Sequence, residues 1–210
     1  MDEEELEYKA ILLGNSGVGK TNLINTSNGE EFNSCQPSTV ASSYVKKTLK
    51  INGQKFVVNL WDTCGQEKYS SLSKIFLRGS KIVILVYDIT DKESFEKLEN
   101  WIQMAKDTEI NCIYGIVGNK CDLFLEEQVS EEEARNYAES KGYKFRLVSA
   151  KSDPNGLNEF LEVLVQDYNE VNNIKALNGK SFTLDDDANN DIEEKKITNC
   201  CKGSKNRKEK

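Results

Sequence analysis

The chain has 210 residues, of which 38% are hydrophobic and 30% charged, with no histidine and a net charge of −7. That length accommodates one complete domain and a tail but not a second full domain. Without histidine, Ser-His and Cys-His nucleophilic pairs and His-ligated metals are excluded, so any catalysis must rest on positioning, backbone amides, carboxylates or a hard cation.

Charge and cysteine are unevenly placed. Seven basic residues between Lys195 and Lys210 face only Glu209, a net +6, so residues 1–194 carry −13. The body is expected to repel nucleic acid and acidic membranes while the end attracts them. No apolar run approaches the roughly 18 to 20 residues that span a bilayer, and the acidic start, 1–7, argues against an export signal. Cys35, Cys64, Cys112 and Cys121 lack metal-ligand spacing and only Cys200 and Cys201 are adjacent, so no disulfide framework is expected, and the cytoplasm is the expected compartment.

In chain order, an acidic extension, 1–7, precedes a domain at 8–172, which alternates short apolar runs with helical patterns, the βα signature of a mostly parallel sheet. YKAILLG reads as a buried strand entering a glycine loop. Asn52-Gly53 between SYVKKTLKI and QKFVVNLW predicts a hairpin, hence one antiparallel edge strand. KIVILVY and CIYGIVG read as central strands covered on both faces, and FRLV as the last strand. Ser130 with Glu133 forms a capping box for a helix stopped at Lys141-Gly142. Leu157, Phe160, Leu161, Leu164 and Tyr168 recur at helical spacing and predict a final helix. Together these predict an α/β fold with a six-stranded mixed sheet and about five helices. The low-hydrophobicity segment 173–210 reads as a disordered tail.

Gly14-Asn15-Ser16-Gly17-Val18-Gly19-Lys20-Thr21 fits G-x-x-x-x-G-K-[S/T] between a strand and a helix. Glycines let consecutive N–H groups face phosphates, Lys20 reaches the β/γ-oxygens and Thr21 ligates Mg²⁺. Such a loop does not separate GTPases from ATPases or nucleotide kinases. Asn119-Lys120-Cys121-Asp122 does, because Asp122 can accept from guanine N1–H and N2–H₂, a pair adenine lacks. In Trp61-Asp62-Thr63-Cys64-Gly65-Gln66-Glu67, Asp62 can reach Mg²⁺ through water, Gly65 permits close approach to the γ-phosphate and Gln66 can orient the attacking water. Read blandly, the same segment is a buried Trp and a polar loop.

The ordered set GNSGVGKT, Thr39, WDTCGQE, NKCD and Ser149-Ala150-Lys151 resembles the Ras superfamily of small GTPases, a P-loop NTPase fold. LVYDIT, Ser94-Phe95 with Trp101, Arg78-Gly79 and the aromatic set Tyr44, Trp61 and Phe76 resemble its Rab family. The resemblance implies GTP or GDP bound with Mg²⁺, Thr39 completing the metal shell, Phe32 on the guanine ring and the Ala150 N–H on the base. It adds Asn22 to the nucleotide contacts and makes Val40, Ala41, Tyr44, Trp61 and Phe76 an effector surface, though simple core packing is the plainer reading of the aromatics. It also implies a monomer that regulates vesicle traffic, working with an exchange factor, an activating protein, effectors and a GDP-dissociation inhibitor, with no nucleic-acid partner. With no arginine finger in cis, intrinsic turnover is expected to be slow, on the order of 10⁻⁴ to 10⁻³ s⁻¹.

The chain departs from the family at four places. Val40-Ala41 replaces Ile-Gly, Cys64 an alanine, and Lys68 an arginine, while Cys200-Cys201, a candidate prenylation pair, is followed by nine residues ending in RKEK. Palmitoylation or no lipid are the rival readings of that pair; if lipidated, the chain would sit on the cytoplasmic face of an endomembrane. The altered 40–41 segment leaves open a scaffold that binds nucleotide without cycling.

Overall fold

The computed structural model describes residues 6–39, 42–64, 70–109 and 111–180. Six strands, β1 (Leu6–Leu13), β2 (Ser43–Ile51), β3 (Gln54–Asp62), β4 (Ile82–Asp88), β5 (Ile113–Asn119) and β6 (Lys144–Leu147), form one sheet in the order β2-β3-β1-β4-β5-β6. Only β2 runs antiparallel, paired to β3 from Ser43↔Asp62 to Ile51↔Gln54. Its turn is the predicted Asn52-Gly53, with φ of 51° and 81°, the two positive values that a tight hairpin turn requires.

Every residue of β4 is buried, as expected for a central strand covered by helices on both sides. On one face, α1 (Lys20–Ser27) and α6 (Gly156–Lys180) close over Leu12, Val58, Ile84 and Val117 through Leu23, Phe160, Leu161 and Leu164. On the other, α2 (Ser70–Leu77), α3 (Lys92–Glu96), α4 (Leu98–Thr108) and α5 (Glu131–Lys141) supply Leu77, Phe95, Leu98, Trp101, Ile102 and Ala138 against Ile11, Val83, Leu85 and Ile116. The Ser130 hydroxyl caps α5 by accepting from Glu133 N–H at 3.1 Å, and Gly142 ends it at φ 72°.

The expected count of about five helices becomes six among the described residues, because Lys97 divides 92–108 into α3 and α4; α3 has its own cap, Asp91, which accepts from Glu93 and Ser94 N–H. β1 starts inside the expected 1–7 extension, since Leu6 and Glu7 pair with Phe56 and Val57. The expected disordered tail is corrected at its start: α6 continues past 172 to Lys180. The Ala176-Leu177 stretch favours helix, and extending an existing helix costs far less than starting one.

The chain reverses direction of travel across the sheet at β1, whose neighbours are β3 and β4. In open α/β sheets the crevice at such a point, beyond the carboxyl ends of the strands, is where ligands bind. β1, β3, β4, β5 and β6 all deliver their carboxyl ends to that side.

Candidate functional site

At that edge lies a cavity of about 490 Å³ lined by the loop after β1, the start of α1, residues 32–39, Thr63 and the loops after β5 and β6. The loop Gly14–Gly19 is held from several sides. A Cβ on Gly14, at φ 149°, would lie 2.1 Å from the Val86 carbonyl oxygen, and one on Gly19, at φ 94°, would lie 2.4 Å from Asn119 Nδ2. Both positions therefore demand glycine. Val18 buries its side chain in the core while its carbonyl accepts from Asn119 Nδ2 at 2.8 Å. Asn15 Oδ1 accepts from Trp101 Nε1 of α4 at 3.0 Å.

Lys20 is 5% exposed and its Nζ donates to the carbonyls of Gly14 and Asn15 at 2.7 and 2.9 Å. Burial pulls its pKa down to about 8, against the partly restoring charge of Asp62. An ammonium carries three N–H donors. Two brace the loop and the third is available to a ligand, so the cavity end near Lys20 suits an anion.

Three oxygens converge beside it. Thr21 Oγ1 donates to Asp62 Oδ2 at 2.7 Å and lies 2.7 Å from Thr39 Oγ1, which reaches the same carboxylate oxygen at 3.3 Å. Asp62 is 4% exposed, its pKa is raised chiefly by burial, and its Oδ1 has no hydrogen-bond partner among the described residues. An enclosed carboxylate oxygen without a partner is costly unless a cation or water meets it. Hydroxyl and carboxylate oxygens are the donor set that hard Mg²⁺ takes, so the residues present fit that ion.

At the other end, Asp122 is oriented by Ser149, whose hydroxyl donates to Asp122 Oδ1 at 2.5 Å. The same Ser149 oxygen, fully buried, accepts from the N–H groups of Lys151 and Ser152 at 3.1 and 3.0 Å. Asn119 ties this loop to the phosphate loop, accepting from Ala150 N–H at 3.2 Å while donating to Val18. The Ala150 N–H, expected to reach the base, can thus serve it only as a shared donor. Lys120, at φ 64°, has its Nζ 2.5 Å from Asp88 Oδ2 of the LVYDIT segment, a pairing the sequence did not announce.

Ser16, Gly17, Asn22, Phe32, Thr39, Lys120, Asp122, Ala150 and Lys151 line the cavity, with Phe32 39% exposed at its rim. Asn15, Val18, Asp62 and Ser149 stand behind the wall. Ser34, Gln36, Pro37 and Ser38, within the 33–44 segment that the resemblance makes the first switch, also line it, as does Leu123, which the sequence did not single out. Val40, Ala41, Gly65, Gln66, Lys68, Cys200 and Cys201 lie outside the described residues.

Tyr44, Trp61 and Phe76 form one aromatic run across β2, β3 and α2, with ring centroids 5.0 and 5.4 Å apart. Tyr44 is 57% and the adjacent Ile75 62% exposed, while Trp61 and Phe76 are partly buried and pack against the core, so core packing accounts for those two but not for Tyr44. Cys64 is buried, as expected of a thiol in an alanine position.

A glycine loop joining a strand to a helix, a carbonyl-braced lysine, an oxygen cluster for Mg²⁺ and a carboxylate at the far wall define a P-loop nucleotide-binding domain. The sequence model of the Ras family matches residues 9–170. Among similar proteins, Ras-related protein RABA1e of Arabidopsis thaliana is 34% identical over 96% of this chain and 97% of its own. Ras-related protein RabC of Dictyostelium discoideum is 40% identical over 79% and 85%, and Ras-related protein Rab-21 of Geodia cydonium 42% over 75% and 69%. The chain belongs to the Ras family of small GTPases and, within it, is Rab-like: an enzyme that hydrolyses GTP, binds GTP or GDP with Mg²⁺ and acts in vesicle traffic.

Proposed function

We propose that this domain, residues 8–172, is a switch whose two states are distinguished at Thr39, and that the convergence of Thr21, Thr39 and Asp62 is the feature that carries the reading. The N–H groups of Asn15 to Asn22 face the phosphates and Lys20 their β/γ-oxygens. The Thr21 and Thr39 hydroxyls, with Asp62 through water, would hold Mg²⁺, which would neutralise phosphate charge when bound. Because Thr21 gives its proton to Asp62, it retains an oxygen lone pair that can face that ion even with Thr39 beside it. Asp122, held by Ser149, reads the guanine edge; Asn119, Lys120, Ala150 and Lys151 complete the base pocket, and Phe32 covers it.

Gly65 permits close approach to the γ-phosphate and Gln66 orients water for in-line attack on the γ-phosphorus, forming the new P–O bond as the bond to the β-phosphate oxygen breaks and GDP departs. With the γ-phosphate gone Thr39 loses its ligand, and the segment leading to Tyr44 changes what it offers a partner. An exchange factor, an activating protein, effectors on Tyr44, Trp61 and Phe76, and a GDP-dissociation inhibitor are the partners of such a cycle. The basic end with Cys200 and Cys201 supports attachment to the cytoplasmic face of an endomembrane, a lipid being assisted by about 1 kcal/mol per basic residue near an anionic leaflet.

Calorimetry with Mg²⁺ tests the base assignment: GTP and GDP are expected to bind at least about a thousandfold more tightly than ATP, because a buried unpaired carboxylate rejects adenine. Equal uptake of ATP would overturn it. Asp122→Ala should erase that preference. Gln66→Leu should lower single-turnover hydrolysis at least about tenfold, and retention of wild-type turnover would remove Gln66 from its role.

A further inference from the structure

Asn22 lies in the first turn of α1, beside Thr21, and is only 9% exposed. Its side-chain amide makes both bonds that a neighbouring strand would make to one loop residue. Nδ2 donates to the Asn33 carbonyl at 2.9 Å and Oδ1 accepts from the Asn33 N–H at 3.3 Å. Asn33 in turn organises the next three residues, its Oδ1 accepting from Cys35 N–H at 2.9 Å and its Nδ2 donating to Gln36 Oε1 at 3.3 Å. After Asn33, the next loop residue hydrogen-bonded to the body of the domain is Thr39; among the described residues Ser34 to Ser38 bond only within the loop. The cavity wall over that stretch therefore hangs from two points.

The two points differ in chemistry. Thr39 is held by a hydroxyl and a carboxylate that also serve a cation, so its hold depends on what is bound. Asn22 holds Asn33 by neutral amide bonds to backbone, which no charge change at the phosphates touches. We infer that Asn22 is a positioning residue that sets the hinge of this loop at Asn33, keeping Phe32 over the nucleotide when Thr39 lets go, and so retains GDP. The inference rests on the nucleotide-site reading above. It separates the loop into a fixed root, ending at Asn33, and a state-dependent span beyond it.

Release of fluorescently labelled GDP and of a labelled non-hydrolysable GTP analogue from the full chain, with Mg²⁺ and excess unlabelled nucleotide, tests it. Asn22→Ala is expected to speed GDP release about tenfold, from two lost hydrogen bonds. Release of the analogue should rise less than about threefold, because Thr39 still holds the loop; adding Thr39→Ala should bring the analogue to the GDP rate. A side chain that merely stabilised α1 would accelerate both nucleotides alike in the single variant, and that result, or no acceleration of GDP, overturns the inference. Hydrogen exchange on the wild-type GDP complex gives a second reading that needs no variant: the Asn33 amide is expected to exchange slowly, and exchange as fast as that of Ser38 would equally overturn it. A wild-type protein that retains neither nucleotide would sink the site reading itself, and this inference with it.

Discussion

The phosphate loop and the junction of β2 with α1 and α6 each bury a lysine with no carboxylate in ion-pair contact among the described residues. Lys20 is 5% exposed and Lys47 8%, and burial brings both amines down to about 8. Both donate only to neutral oxygens: Lys20 to Gly14 and Asn15, six and five residues away in the same loop, Lys47 to the Ser27 carbonyl at 2.6 Å and Asn158 Oδ1 at 2.9 Å, twenty and 111 residues away. One amine faces the nucleotide cavity; the other joins three elements at the end of α1, where its charge meets the negative end of the helix dipole. Burial and a depressed pKa therefore do not identify a functional lysine here. Where its remaining N–H points does.

The sharpest way to break that comparison is to remove each amine. Lys20→Ala is expected to lower Mg²⁺-GTP affinity at least about a hundredfold, because charge-assisted bonds to phosphate are the strong ones, whereas Lys47→Met should change it less than about threefold. Calorimetry measures both; a comparable loss from Lys47→Met would mean that the β2 junction governs the cavity.

A second test turns on pH. Lys47 has a folded pKa of about 8 against an unfolded value near 10.5, so between those values the unfolded chain binds more protons. The penalty for burying the charge is present in full below pH 8 and disappears as pH climbs toward 10.5. Relative to Lys47→Met, the wild type should gain about 2 kcal/mol of unfolding free energy between pH 7 and 10, read by urea denaturation of both proteins. The neutral amine keeps two N–H donors for its two acceptors. Glu159 and Glu162 line the same groove in both proteins, so their contribution cancels in the difference. A constant difference across that range would show that Lys47 does not titrate there.

The smallest expected effect comes from α4. Trp101→Phe removes the bond to Asn15 Oδ1, leaving one carbonyl brace of Lys20 on a looser loop. The loss of about 1 kcal/mol should weaken nucleotide binding about fivefold in the same calorimetry. Unchanged affinity would show that Gly14 and Val18 hold the loop alone.

Much of the fold was legible because it is written in local patterns. The Asn52-Gly53 hairpin, the Ser130 cap and the wholly buried β4 each follow from turn chemistry, capping or an apolar run within a few residues. The division of 92–108 at Lys97 and the run of α6 to Lys180 were not, since periodicity does not record a single cap or the propagation of a helix beyond its packed face. At the site, residue types were legible and their mutual supports were not. Asp122 stands in a motif, but nothing in NKCD says that Ser149 will hold one of its oxygens, and no pattern linked Asp88 to Lys120.

By itself the sequence determined the chemistry on offer: glycines where Cβ atoms would collide, an amine and hydroxyls for phosphate and Mg²⁺, a carboxylate for a purine edge, and no histidine. The tertiary structure alone decided which groups brace which, the Asn22 clasp on Asn33, the bond from Trp101 to Asn15, the burial of Lys47 and the aromatic run of Tyr44, Trp61 and Phe76. Motifs encode geometry over a few residues, where backbone sterics suffice. Contacts between residues from 11 to 111 positions apart exist only once strand order has brought their elements together.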